Sequence, residues 1–433
     1  MVAGDARIPV IVVAGLDGSA VRRVAEGLLA PGTVTVRYDL GALAQGVVVR
    51  TERDGGPVTA LADVRVRWID LEHGCVSCTL EHDLLPFLRT LARRDDVDRI
   101  VLELDPLIEP EPLCHAVNHH VVTGQAGYCD APASADVRID AVIGCVDVGS
   151  WLRQAGGDDT LVQAGLSPDD ADERTLAQVV IGHMDFADAI VAHGTSPSRT
   201  WEDARTFAAL RRLNPRAPML LELAERPLSR PLVEAFVDAV PPDSRRGRVF
   251  GVHDRLLPAQ AARAADCGVQ WVEFNARRPF HPERLHAAVD VLLEGVLCSR
   301  GRLWLATQPR EALWLESAGG GLRIAAGAPW VAALTGEQWR PGDPVRRAHA
   351  EPAVDGQYGD RHNHVVVLVH DADPTDIIEA LTGALLTDAE YALGQEYWLH
   401  YADPFGRFHE DPCGERERDL PRVADQAVDP GRP

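Results

Sequence analysis

The stretch Val10-Ile-Val-Val-Ala-Gly-Leu-Asp-Gly-Ser-Ala-Val-Arg-Arg23 decides the fold. Val10 to Ala14 form a continuous apolar run, the signature of a strand buried on both faces of a parallel sheet. Gly15 and Gly18 follow, and Val21 to Leu29 read as a helix. Strand, glycine loop and helix in that order make the corner that cradles a phosphate chain on backbone amides. The full motif, G-x-x-x-x-G-K-[ST], adds a lysine for the phosphates and a hydroxyl for magnesium. Counting from Gly15, its last three places fall on Ala20, Val21 and Arg22. No lysine occurs anywhere in the 433 residues, so none can be supplied in cis. The corner predicts the scaffold of a nucleotide site without its catalytic parts, and no residue is assigned as catalytic. Gly15, Gly18, Ser19 and Arg22 are the candidate cofactor-binding residues, with Arg23 as a further cation. The blander reading is an ordinary strand–turn–helix corner in which the glycines supply only the turn.

Working outward, apolar runs at Val34–Tyr38, Arg99–Leu104, Ala141–Val146, Ala189–Ala192 and Met219–Leu221 predict further strands, and Thr200–Leu213 a helix. The alternation argues for a P-loop-type α/β domain over about residues 1–255, a parallel sheet with helices on both faces. Such a sheet binds ligands at the carboxyl ends of its strands. After a linker at 256–267 the pattern changes. Strands are expected at Val269–Phe274, Arg302–Ala306, Leu313–Leu315, Leu322–Ile324 and Val365–His370, with helices over Glu283–Leu297 and Thr375–Leu386. That mixture predicts a smaller C-terminal α+β domain over about 268–410. The tail 411–433, rich in Pro, Asp, Glu and Arg, reads as disordered.

Lys+Arg of 43 against Asp+Glu of 65 give a net charge of −22. So acidic a surface repels nucleic acid and anionic lipid and favours basic protein partners. No stretch is apolar and long enough to span a bilayer, and the first residues lack a signal-peptide pattern. The expectation is a cytoplasmic protein. Its eight cysteines are scattered apart from Cys75 and Cys78, which favours metal or packing roles over disulfides. Cys145 and Cys298 lie in apolar runs and read as core.

Several segments in order carry a family resemblance. Leu71-Glu-His-Gly-Cys-Val-Ser-Cys-Thr-Leu80 is similar to an N-G-C-x-C-C-T-L metal motif, and Glu103-Leu-Asp-Pro-Leu-Ile-Glu-Pro110 to an E-T-S-G-L-A-x-P switch segment. Leu213-Asn-Pro215, Arg278-Pro-Phe-His-Pro-Glu-Arg284, Arg300-Gly-Arg-Leu-Trp-Leu-Ala306 and Gly359-Asp-Arg361 follow in order. Over roughly residues 8 to 400 the chain resembles the CobW family of P-loop GTPases that handle metals. The resemblance implies a GTP–magnesium domain, zinc at the cysteine motif and delivery of metal to client proteins. It also resembles a branch linked to zinc starvation, whose members recruit a hibernation factor to ribosomes.

The departures from the family are three. Val21 replaces the P-loop lysine. Pro106 replaces the switch glycine whose N–H senses the γ-phosphate, and proline has no N–H. His193-Gly-Thr-Ser196 stands where the family has N-K-x-D, and Ser196 cannot act as a two-point carboxylate acceptor for guanine. Glu103 and Asp105 remain as candidate magnesium-side carboxylates, their blander role being strand-end solvation and loop geometry. Joint loss of three signatures predicts that GTP turnover is gone or weak.

At the metal motif, Ser77 stands in the middle cysteine position. Cys75 and Cys78 have the C-x-x-C spacing that clamps zinc, with His73 as the next ligand and Glu72, His82 and the Cys114–His120 cluster as further candidates. On a helix, His115 and His119 would share a face. His362 and His364 read as the solvated start of a strand, and Arg278 and Arg284 as carboxylate-bound residues at the domain interface. The reading is a metal-responsive adaptor or zinc metallochaperone with protein clients, basic or ribosome-associated. The alternative is an active GTP-hydrolysing metallochaperone.

Overall fold

The computed structural model describes residues 5–55, 64–71, 76–223, 225–249, 256–257, 264–334 and 358–406. The N-terminal part runs β1 (Ile8–Gly15), α1 (Gly18–Gly27), β2 (Thr33–Asp39), β3 (Val47–Asp54), β4 (Val64–Asp70), α2 (Val76–Leu91), β5 (Arg99–Glu103) and α3 (Pro110–His119). It continues through the short pair β6 (Val121–Val122) and β7 (Ala131–Pro132), then β8 (Val137–Asp147), α4 (Val148–Ala155), α5 (Leu176–Phe186), β9 (Ala189–His193), α6 (Thr200–Leu213), β10 (Met219–Leu221) and α7 (Arg230–Asp238).

Eight of these strands form one sheet in the order β10-β9-β8-β1-β5-β2-β3-β4. The inner pairs are parallel, as their unbroken apolar runs require, and Val10, Val12, Val13 and Ala14 are fully buried. The parallel sheet is extended at one end by two further strands, where β2–β3 and β3–β4 pair antiparallel. The two extra strands alternate apolar residues with Arg and Glu, and β4 exposes Val66 and Trp68 at the edge, so no buried run announces them. Helices α1 and α7 cover one face, where Val24, Leu28, Val233 and Phe236 join Ile11 and Val13. The other face carries Val10 and Val12 with Leu84 and Leu88 of α2 and Val117 of α3.

The C-terminal part holds β11 (Gln270–Ala276), α8 (Pro282–Ala288), β12 (Val296–Leu303), β13 (Glu311–Ala318), β14 (Gly321–Pro329), β15 (Asn363–Val369) and a helix Pro374–Ala384. Its antiparallel sheet has the order β11-β15-β12-β13-β14. Two expectations are corrected here. The helix expected to reach Leu297 ends at Ala288, continues as a 3-10 turn to Leu292, and gives way to β12 after Gly295, whose φ of +70° breaks the helical path. His362 precedes and His364 lies within β15, an inner strand of the sheet and not an edge, and His364 Nε2 contacts Glu273 at 3.1 Å.

The two parts share a core. Val180, Ile181 and Met184 of α5 pack with Leu297, Cys298, Ala318 and Leu368. At its rim the Asp185 carboxylate accepts from Arg300 at 2.9 Å and Arg245 at 3.3 Å. Arg278 and Arg284 find carboxylates within the C-terminal part instead of at this interface. Arg284 forks onto Glu390 at 2.9 and 2.7 Å, and Arg278 meets Asp388 at 2.7 Å.

Candidate functional site

The loop between β1 and α1 is two residues long, Leu16 and Asp17. Gly15 is required by packing: a Cβ there would stand 2.5 Å from the Cys145 carbonyl oxygen of the neighbouring strand. Gly18 already belongs to the helix. Asp17 is its N-cap, with its carboxylate accepting from the Ser19 amide at 2.8 Å. A helix N-terminus offers its free amides to an anion, and here the chain's own carboxylate takes that place. Partial burial pushes the Asp17 carboxyl up, but the Ser19 contacts and then His193 hold it below its ordinary range, so it is ionised at neutral pH. An Asp following a strand and preceding Gly-Ser is a capping signal that the sequence carried.

Two of the other candidates, Arg23 and Asp105, are engaged within the chain. Arg23 forks onto Glu222 at 2.9 and 2.8 Å, and its remaining nitrogen donates to Ser19 Oγ at 3.0 Å. Arg22 is exposed, while Ala20 and Val21 are buried in the core under α1. Asp105 accepts from the amides of Leu40 and Leu107, both at 3.1 Å, and so pins the loop after β5. Burial pushes the Glu103 and Asp105 carboxyls up, with Arg37 and Arg22 opposing this at Glu103. At the third signature, Asp203 accepts the Ser196 amide at 2.9 Å, and the Ser196 hydroxyl pairs with Ser198. Gly194 has a φ of +78° and leaves room for the Asp147 carboxylate, which a Cβ would strike at 2.0 Å.

At the carboxyl ends of β1, β8 and β9 lies a cavity of about 510 Å³. Asp17, Asp147, His183 and His193 supply its polar groups and Leu16, Trp151 and Met184 its apolar wall. His193 Nε2 stands 3.4 Å from Asp17 Oδ2, without hydrogen-bond geometry. His183 is buried with neither ring nitrogen in a well-formed hydrogen bond, and burial, against a weaker opposing contact from the Ile108 backbone, pushes its pKa down to about 4. Two carboxylates and neutral imidazole make this a poor seat for a polyphosphate. The location is the one expected of an open α/β sheet; the lining was not legible, because five separate segments supply it.

Of the candidate ligands at the metal motif, Glu72, His73 and Cys75 lie outside the described residues, and the structure places Cys78, half-buried in the first turns of α2, and His82, exposed on the same helix. Asp83 on the same helix serves the fold, taking Arg50 at 2.6 Å and the Tyr38 hydroxyl at 2.7 Å. The Cys114–His120 cluster divides. Cys114 is fully buried, with burial pushing its thiol up, so it is core and no ligand. His115, His119 and His120 are exposed, with ring centres 4.8 Å apart for His115–His119 and 5.5 Å for His115–His120. His120 Nδ1 meets Glu81 Oε2 of α2 at 2.8 Å, so α3 does approach the helix that carries Cys78. Desolvation, then the neighbouring His119 and His120, lower the pKa of His115. Among the described residues no three His, Cys, Asp or Glu side chains converge on one point as a formed metal site.

The nucleotide-binding domain of CobW, HypB and UreG matches residues 48–221, and the C-terminal domain of the cobalamin synthesis protein CobW matches residues 269–385. A zinc chaperone of Mycobacterium tuberculosis is 44% identical over 417 residues, covering 94% of this chain and 95% of that protein. The chain belongs to the CobW family. A zinc-regulated GTPase metalloprotein activator of Dictyostelium discoideum is 25% identical over 345 residues, 78% of this chain and 70% of that protein. The crystal structure of the Zn(II)-bound YjiA GTPase from E. coli aligns at 14% identity and a TM-score of 0.36, covering 88% of this chain and 99% of that one. The CobW nucleotide-domain match begins at residue 48, downstream of the loop that Asp17 caps. Among the described residues no helix is long and apolar enough to cross a membrane.

Proposed function

We propose that this CobW protein is a zinc metallochaperone or zinc-responsive adaptor whose nucleotide site no longer turns over GTP. The observation that carries the nucleotide half is Asp17: an ionised carboxylate caps the helix end where a phosphate would sit, with Val21 buried at the lysine position. P-loop catalysis is positioning and charge neutralisation, and this chain supplies neither of the usual means, the lysine and the switch N–H. The zinc half is supported by the relative named a zinc chaperone, at 44% identity over nearly the whole chain, and by the Cys75–Cys78 spacing. Without a γ-phosphate switch, metal occupancy becomes the trigger that orders or releases a docking surface. The client is a basic protein in the cytoplasm, ribosome-associated in a zinc-starvation response, drawn to a chain of net charge −22.

Calorimetry with GTP–magnesium beside a zinc titration tests the reading. The expected result is zinc binding that weakens as pH falls, since thiolate and neutral imidazole must be free of protons to bind, and no GTP heat. Replacing Cys75 and Cys78 with serine should remove a stoichiometric zinc ion. Magnesium-dependent turnover at ordinary GTPase rates would establish instead the GTP-hydrolysing metallochaperone.

A further inference from the structure

We propose a second divalent transition-metal site, made by His115, His119 and His120 of α3 and its cap and oriented by Glu81 of α2. His115 and His119 are one helical turn apart on one exposed face, and the cap turns His120 back toward them. Zinc binds imidazole nitrogen at about 2.0–2.1 Å, which places ring centres roughly 3.2 Å from the ion and tetrahedral neighbours about 5 Å from each other. The observed spacings of 4.8 and 5.5 Å match that figure. The three rings do not converge on one point; binding requires these exposed side chains to rotate about their own bonds. Glu81 supplies an independent sign. Its carboxylate accepts His120 Nδ1 at 2.8 Å, the partnership that fixes a ligating histidine with Nε2 free for a metal. Three imidazoles select zinc and its neighbours over magnesium or calcium, and leave a fourth position open for exchange.

Cys78 stands three residues before Glu81 on α2, about one helical turn from the carboxylate that meets His120. Two sites so placed, one of imidazole with an open position and one with thiolate, form a route for loading or handing over a metal ion. The choice of zinc rests on the proposed function, whereas the site itself does not.

Zinc content and affinity of the purified full chain are measured for the parent, for Cys75→Ser with Cys78→Ser, for His115→Ala with His119→Ala and His120→Ala, and for all five together. Circular dichroism checks the fold, which exposed histidines should not disturb. The double-cysteine variant should keep one zinc equivalent that the five-fold variant loses, and cobalt bound to it should show no thiolate charge-transfer band. Glu81→Ala should weaken that ion about ten- to a hundredfold at unchanged stoichiometry. A double-cysteine variant without zinc, or a triple-histidine variant with the parent's zinc content, would overturn the site. Loss in the triple-histidine variant alone, with none in the double-cysteine variant, would remove the cysteine pair from the proposed function and leave this site standing.

Discussion

Asp17→Asn is the most informative single change, because it removes a charge and keeps a cap. Asparagine is as good an N-cap as aspartate, so α1 should lose little stability. A phosphate seated on the amides of Ser19 and Ala20 would stand roughly 5 Å from the Asp17 carboxylate, which at an effective dielectric of about 20 costs about 3 kcal/mol per unit of phosphate charge. The helix N-terminus returns only about 0.3–1 kcal/mol. In the parent chain the repulsion wins. The expectation is no saturable GTP–magnesium binding by the parent up to about millimolar concentration, and a gain of about a hundredfold in Asp17→Asn, from the 1.4 kcal/mol-per-decade rule after screening. Turnover should stay at background in both, because Val21 and Pro106 are unchanged. Equilibrium dialysis with radiolabelled GTP measures the first and phosphate release the second. Equal retention of nucleotide by parent and variant would refute the claim that this carboxylate occupies the anion seat.

Three further outcomes follow from buried and paired charges. The unfolded chain protonates His183 near pH 6.5 and the folded chain only near 4, so stability should fall with acidification across that window by roughly 3 kcal/mol; urea midpoints against pH should show it, and His183→Leu should flatten it. Glu390 is held down to about 2, chiefly by Arg284, against an ordinary 4.5, so its contribution is present above pH 4.5 and lost as pH falls toward 2; screening at a partly exposed pair trims it to roughly 1–2 kcal/mol, and Arg284→Met should shrink that acid-side loss, with the Thr387 bonds retaining the rest. Asp185→Ala leaves Arg300 and Arg245 without their shared carboxylate at the domain junction and should cost about 3–5 kcal/mol, with a double-mutant cycle to Arg300→Met showing strong coupling.

Pattern and placement divided the work unevenly. The central strands were legible because a strand covered on both faces must be apolar throughout, and Val10–Ala14 or Ala189–Ala192 admit no other reading. β3 and β4 were not, since a half-exposed meander of Val, Arg and Glu looks like loop until its partners are known. Val289–Leu297 fits helix or strand equally well by composition, and the pairing of Val296 onward with β15 decided it. The losses at Val21, Pro106 and Ser196 were evident from residue type, because a missing amine, N–H or carboxylate is missing in any conformation.

What took the place of those groups is a matter of three-dimensional placement. Arg23 locked to Glu222 and Asp105 pinning Leu40 are contacts across 199 and 65 residues of chain, whereas the Asp17 cap is a local contact two residues apart. The histidines repeat the lesson. The i, i+4 spacing of His115 and His119 was written in the chain, since helical geometry fixes which residues share a face. That Cys114 turns into the core and Glu81 reaches His120 from another helix depended on how α2 and α3 pack against one sheet. The sequence by itself determined which chemical groups this protein has and lacks; the tertiary structure decided which of them meet, because contact between distant segments is set by burial of the shared core and not by local spacing.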